Sequence, residues 1–129
     1  MRPSARLPGT FTLFVYGTLK RGGCRHAPLE SQRYLGEVQT APLYRLYDLG
    51  SYPGLVRADD GDVVHGELYE VAHELVPALD RLEGAPDWFD LAPVEIAGRA
   101  GPVWAYYSMD APAGRPALTG GRWEPERDT

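Results

Sequence analysis

Only one stretch of this chain, "HELVPALDRLEG" from His73 to Gly84, carries a helical repeat, and that scarcity restricts the fold more than any other feature. Leu75, Leu79 and Leu82 recur at i, i+4 and i+7, Pro77 falls in the first turn where a missing N–H costs least, and Gly84 supplies the stop. Around it lie short apolar or alternating runs at about residues 10–16, 34–39, 43–48, 54–58, 63–71, 91–97 and 102–108, divided by turn signals such as "SYPG" and "ADDGD". With 15 Gly and 12 Pro in 129 residues, short strands are favoured over long helices. Strands that do not alternate with helices exclude a doubly wound parallel sheet and predict an α+β fold with a closed or nearly closed sheet. One domain is expected over residues 1–129, with its core at about 10–109. Residues 1–8 read as a flexible leader and 110–129 as a Pro/Gly-rich tail with little regular structure, in which Trp123 is the residue suited to docking.

Several classes of chemistry fall away on spacing. There is no internal repeat, no apolar run near the ~18 residues of a membrane span, and no apolar h-region in "MRPSARLPGTF", so a cytoplasmic protein without membrane attachment is expected. The net charge of −5, with basic residues neither repeated along a helix nor interleaved with aromatics, makes nucleic acid an unexpected partner. Cys24 stands alone, which rules out an intramolecular disulfide and a cysteine-based zinc cluster, and His26, His65 and His73 lack the HExxH arrangement. Neither GxGxxG nor GxxxxGK[ST] is present, and Ser4, Ser31, Ser51 and Ser108 lie outside any GxSxG elbow. The basic loop around Cys24 could lower its pKa, but no reactive-cysteine context accompanies it. The expectation is a mechanism without metal, cofactor or enzyme-borne nucleophile.

Two features remain. In "FTLFVYGTLKRGGCRH" the run Phe11–Tyr16 reads as a strand buried on both faces, which breaks into Gly17, Gly22 and Gly23 with the cations Lys20, Arg21 and Arg25. Such a loop is either a pocket lip whose N–H groups converge on a carboxylate or phosphate, or a solvated turn with a basic rim. The second is Glu83. At ~100° per residue from Leu75 it falls near 80°, inside the apolar stripe, while Glu74 and Arg81 point to the polar side. It is therefore either a boundary residue bending out to water or a carboxylate held in a desolvated cleft. Burial, together with the negative end of the helix dipole, would raise its pKa and make a base usable near neutrality. An anion-binding loop and an unpaired carboxylate together suit a substrate bearing both a carboxylate and an amine, such as an amino acid or its γ-linked derivative.

"VYGTLKRG" (Val15–Gly22), "YPGLV" (Tyr52–Val56), "VHGELYEV" (Val64–Val71), "LDRLEG" (Leu79–Gly84) and "WAYYS" (Trp104–Ser108) resemble, in order and spacing, the γ-glutamylcyclotransferase-like superfamily. The likeness is to its γ-glutamylamine cyclotransferase and AIG2-like branch, over about residues 11–109. The resemblance implies a mixed β-barrel with few flanking helices. It also implies cofactor-independent cleavage of a small-molecule γ-glutamyl amine, in which the substrate's own α-amine attacks its γ-carbonyl to give 5-oxoproline and the free amine. Glu83 matches the family's catalytic glutamate. Tyr16, Gly17, Thr18 and Leu19 match the loop whose backbone N–H groups hold the glutamyl part, and Tyr107 matches a late-strand tyrosine that hydrogen-bonds in the cavity. The chain departs from the family pattern after "EG", where "APDWFDL" places Phe89 and Leu91 at positions usually polar, and at Arg25, where asparagine is frequent before His26. Trp88 and Phe89 would make the amine-leaving side more apolar. The alternatives on the same fold are a non-catalytic small-ligand-binding barrel and an amidohydrolase that releases glutamate.

Overall fold

The apolar run that begins at Phe11 becomes the middle strand of the molecule. In the computed structural model, which describes residues 1–109, 114–118 and 120–124, β1 (Thr10–Val15) has Leu13, Phe14 and Val15 all buried. It pairs antiparallel with β5 (His65–Ala72), from Thr10 opposite Ala72 to Val15 opposite Glu67, and parallel with β7 (Trp104–Ser108) at Leu13 and Trp104. A strand flanked on both edges and covered on both faces needs an apolar residue at nearly every position, which is how it reads in sequence. β2 (Arg33–Gln39) lies outside β5, and β6 (Phe89–Pro93) outside β7, giving a five-stranded sheet in the order β2-β5-β1-β7-β6.

The two faces of β1 build two cores, because successive side chains point to opposite sides. Phe11, Leu13 and Val15 pack with Val76 and Leu79 on one side. Phe14 and Tyr16 pack on the other with Tyr44, Leu46 and Leu55 of the hairpin β3 (Tyr44–Asp48) and β4 (Pro53–Arg57), which forms its own two-stranded sheet. Trp123 is fully buried in this second core. Its segment is held by Leu118 N–H to Leu46 O at 2.7 Å and His65 N–H to Gly121 O at 2.8 Å. Part of the tail is thus docked by isolated bridges, while residues 110–113, 119 and 125–129 lie outside the described residues. The leader is tied as well: Arg2 donates to Asp80 at 2.8 Å and to Asp90 at 2.9 Å.

The expected barrel does not close. β2 and β6 remain the edges of an open sheet, and only the bridge Thr40–Ile96, just beyond their C-terminal ends, joins them. A bulge at Tyr34/Gly36, with Gly36 at φ 123°, bends β2, and β6 ends at Pro93, which has no N–H to offer a ladder. The fold is mixed α+β: this central sheet, the hairpin and one short helix. Strand 91–97 is shifted to 89–93, with Val94 N–H still donating to Val103 O at 2.9 Å just past its end.

The helix α1 spans Val76–Glu83, preceded by a 3₁₀ turn at His73–Leu75 and closed by Gly84 at φ 64°, ψ 36°. Gly84 N–H to Arg81 O at 3.3 Å and Ala85 N–H to Asp80 O at 2.9 Å complete the C-terminal turn. Its buried face runs through Val76, Leu79 and on to Glu83, whereas Leu82 is 38% exposed. The stripe expected from Leu75 is therefore rotated. Within α1 the core is met by Val76 and Leu79, and Leu82, at the edge of the stripe counted from Leu75, falls outside it. Among the described residues no helix is long and apolar enough to cross a membrane.

Candidate active site

Where β1 ends, the chain turns and its carbonyls find donors within the loop. Gly17 O accepts from Lys20 N–H at 3.0 Å, Thr18 O from Arg25 N–H at 2.9 Å, and Leu19 O from the Nδ1–H of His26 at 2.8 Å. The N–H groups of Gly17, Thr18 and Leu19 have no acceptor among the described residues. Thr18 and Leu19 are nonetheless buried. Unmatched buried donors are costly, roughly 1–3 kcal/mol each. Here the three residues line a narrow, partly open cavity. Three consecutive donors without partners can hold a carboxylate or a developing oxyanion.

Gly17 owes its identity to packing: a Cβ there would stand 2.6 Å from Pro53 Cγ. Pro53 and Tyr52, at the start of β4, form the facing wall of the same cavity. The basic rim is dispersed. Lys20 is buried, with Nζ hydrogen-bonded to Trp123 O, and the Arg21 guanidinium lies 4.7 Å from the centre of the Tyr34 ring, so only Arg25 of the three cations borders the cavity. Lys20 is turned into the interior, where the docked tail supplies its acceptor.

Glu83 closes the cavity from the helix side. It reaches that position because Val76, Leu79 and Glu83 share one helix face, two anchored in the core and the third beyond its edge. No hydrogen bond to its carboxylate occurs among the described residues, and burial among apolar and aromatic walls pushes its pKa from 4.5 up to about 7, with the nearby Arg25 charge opposing the rise. Arg25 also donates from Nη1 to Leu82 O at 3.1 Å, placing a cation on the unpaired carbonyl end of α1. The carboxyl group is thus poised to exchange a proton near neutral pH.

Of the remaining expected site residues, Tyr16 contributes backbone to the cavity while its hydroxyl is committed elsewhere, donating to Tyr106 O at 2.5 Å and accepting from Leu55 N–H at 3.3 Å. Burial and the Glu83 charge hold this phenol far above its usual pKa. Tyr107 does not enter the cavity. Its ring lies 6.1 Å from Tyr44 and its hydroxyl donates to Pro93 O at 2.7 Å, in the second core. Strand alternation sends its neighbour Tyr106 to the cavity side instead, where the hydroxyl donates to Asp80 at 2.7 Å. Tyr106 and Tyr52 are lining residues that sequence reasoning did not assign to substrate binding; Phe89, expected on the amine-leaving side, lines the cavity, whereas Trp88 is exposed and absent from the lining. The resemblance pointed to Tyr107, one residue from the tyrosine that lines the cavity.

Cys24 is exposed and absent from the lining. His26 serves the loop through Leu19, whereas His73 lies buried against Phe11 at a ring distance of 5.1 Å. Among the described residues no three His, Cys, Asp or Glu side chains converge as a metal site.

The family model described as gamma-glutamyl cyclotransferase, AIG2-like, matches residues 13–125. A Vibrio cholerae protein described provisionally as a gamma-glutamylcyclotransferase is 37% identical over 111 residues, covering 86% of this chain and 93% of that protein. The solution NMR structure of protein YtfP from Escherichia coli superposes with a TM-score of 0.67 at 28% identity, over 92% of this chain and all of that one. The crystal structure of an AIG2-like protein from Mus musculus gives a TM-score of 0.78 at 23% identity over 90% of this chain and 89% of that one, a likeness of fold. Sequence and architecture agree on one assignment: the chain belongs to the γ-glutamyl cyclotransferase, AIG2-like family.

Proposed function

We propose that this protein cleaves a γ-glutamyl amine by intramolecular cyclisation. Glu83, ionised, takes a proton from the substrate's α-ammonium. The freed α-amine attacks the γ-carbonyl carbon, and as the amide C–N bond breaks the departing nitrogen receives both protons that the α-nitrogen gives up, the first returned by Glu83 and the second lost from the attacking nitrogen as it becomes the lactam N–H. The products are 5-oxoproline and a free amine, and no water is consumed. The N–H groups of Gly17, Thr18 and Leu19 hold the glutamyl part folded for ring closure and donate to oxygen as it gains charge.

The observation that carries this reading is the meeting, in one cavity, of three unpaired backbone donors and a carboxyl group raised to about 7 by burial. A reaction whose nucleophile belongs to the substrate needs an orienting cradle and a proton carrier, and both are supplied. Incubation of the purified protein with a panel of γ-glutamyl amines, with products identified by mass, tests it. Formation of 5-oxoproline is expected, and a substrate acetylated on its α-amine should be inert because its nitrogen can no longer attack. Release of free glutamate, or of N-acetylglutamate from the blocked substrate, would establish hydrolysis instead and overturn the proposal.

A further inference from the structure

Arg25 and Glu83 are the only residues of formal charge among the described residues that line the cavity, and Arg25 is held there on several sides. Its backbone N–H is bonded to Thr18 O at 2.9 Å, its Nη1 to Leu82 O at 3.1 Å, and its guanidinium carbon lies 5.9 Å from the centre of the Tyr52 ring. None of the described acidic side chains forms an ion pair with it. A guanidinium has five N–H donors in a rigid plane, so engagement of one at the helix end leaves a fork free for a planar anion.

Depth decides which end of the substrate it meets. Thr18 and Leu19 are buried, whereas Arg25 and Tyr52 are partly exposed at the mouth. The glutamyl part, held by the loop donors, therefore lies deep, and the departing amine lies outermost. A cation placed against the substrate's own α-ammonium would oppose binding, which also assigns Arg25 to the other end. Tyr52 and Phe89, with ring centres 5.8 Å apart, make the rest of that wall aromatic.

We propose that Arg25 selects the leaving group: it favours γ-glutamyl amides whose departing amine carries a carboxylate next to the nitrogen, as in an α-amino acid, and disfavours those whose departing amine carries a second cation, as in a diamine. This rests on the reading that a γ-glutamyl amide is cyclised in the Glu83 cavity.

Three substrates that differ at one group test it: γ-glutamyl-alanine, γ-glutamyl-ethylamide and the γ-glutamyl derivative of 1,2-diaminoethane. In the unmodified protein kcat/KM should rank in that order, with the carboxylate favoured over the neutral amide by about 10- to 100-fold, mainly through KM. Arg25→Gln should reduce this preference to within about 3-fold. Arg25→Lys keeps the charge without the fork, so it should retain the order with a smaller ratio, and it serves if the Gln variant folds poorly. Arg25→Glu should favour the diamine derivative. A preference insensitive to these changes, or an equal loss for all three substrates on Arg25→Gln, would overturn the assignment, the latter placing Arg25 on the glutamyl part. The neutral ethylamide separates the two readings: no 5-oxoproline from it or from the others overturns the cyclisation and this proposal with it, whereas 5-oxoproline without a preference for the anion overturns Arg25 alone.

Discussion

Replacing Glu83 by Gln should sharply reduce turnover and at the same time stabilise the fold, and the pH dependence of the second effect isolates the carboxyl group. Burial raises its pKa from 4.5 to about 7, so between these values the folded chain holds a proton that the unfolded chain releases. By linkage, the unmodified protein loses stability as pH rises through that window. At ~1.4 kcal/mol per pH unit the difference corresponds to about 3 kcal/mol, an upper bound because Glu83 is partly exposed and its charge partly screened. Burial keeps Tyr16 and Tyr106, the phenols that feel its charge, protonated across the window. Urea unfolding of both proteins at about pH 4 and about pH 9 should therefore show the Gln variant gaining about 1–3 kcal/mol relative to the parent between the two conditions. An advantage that is the same at both pH values would refute the buried-carboxylate argument. In turnover, the parent should show a rising limb near pH 7 as the base ionises, and the variant should lose at least ~100-fold. Undiminished activity of Glu83→Gln would remove the carboxylate from the mechanism.

Gly17→Ala forces a methyl group to within 2.6 Å of Pro53 Cγ and should cost about 1–3 kcal/mol in thermal or denaturant unfolding. Unchanged stability would show that the β4 turn yields freely. Trp123→Ala removes a fully buried indole from the second core and should cost about 3–5 kcal/mol, whereas a loss below about 1 kcal/mol would mean that the tail contributes little to that core. Cys24→Ser should retain most activity, since the side chain is exposed and absent from the cavity lining; loss of activity with a trapped acyl-enzyme mass would contradict an intramolecular reaction.

What was legible in the sequence was whatever a backbone period encodes. Phe11–Tyr16 read as a strand covered on both faces, and "HELVPALDRLEG" as a short amphipathic helix ended by Gly84, because each pattern repeats at the spacing its own geometry imposes. Glu83 was visible as a carboxylate on an apolar face for the same reason, and the glycine loop as a break where the strand had to stop. Resemblance of the spaced motifs then joined these two features into one site. The centre of the buried face was less secure, since packing falls on Val76 and Leu79 and leaves Leu82 38% exposed.

Tertiary structure decided everything that depends on a partner distant in the chain. Whether Tyr106 or Tyr107 faces the cavity is a question of register, and a shift of one residue would exchange them. Lys20 reads as part of a basic rim until Trp123, more than a hundred residues away, supplies a buried carbonyl for its ammonium group. Arg2 reads as part of a loose leader until Asp80 and Asp90 meet at one place beside it. The open sheet has the same origin, for edges close only if both strands present a matching row of donors and acceptors, and a bulge in β2 and a proline ending β6 leave a single bridge. Local geometry repeats along the chain and is written into the order of residues. The choice of partner is made by packing, where residues far apart compete for the same buried space and the same unpaired polar group.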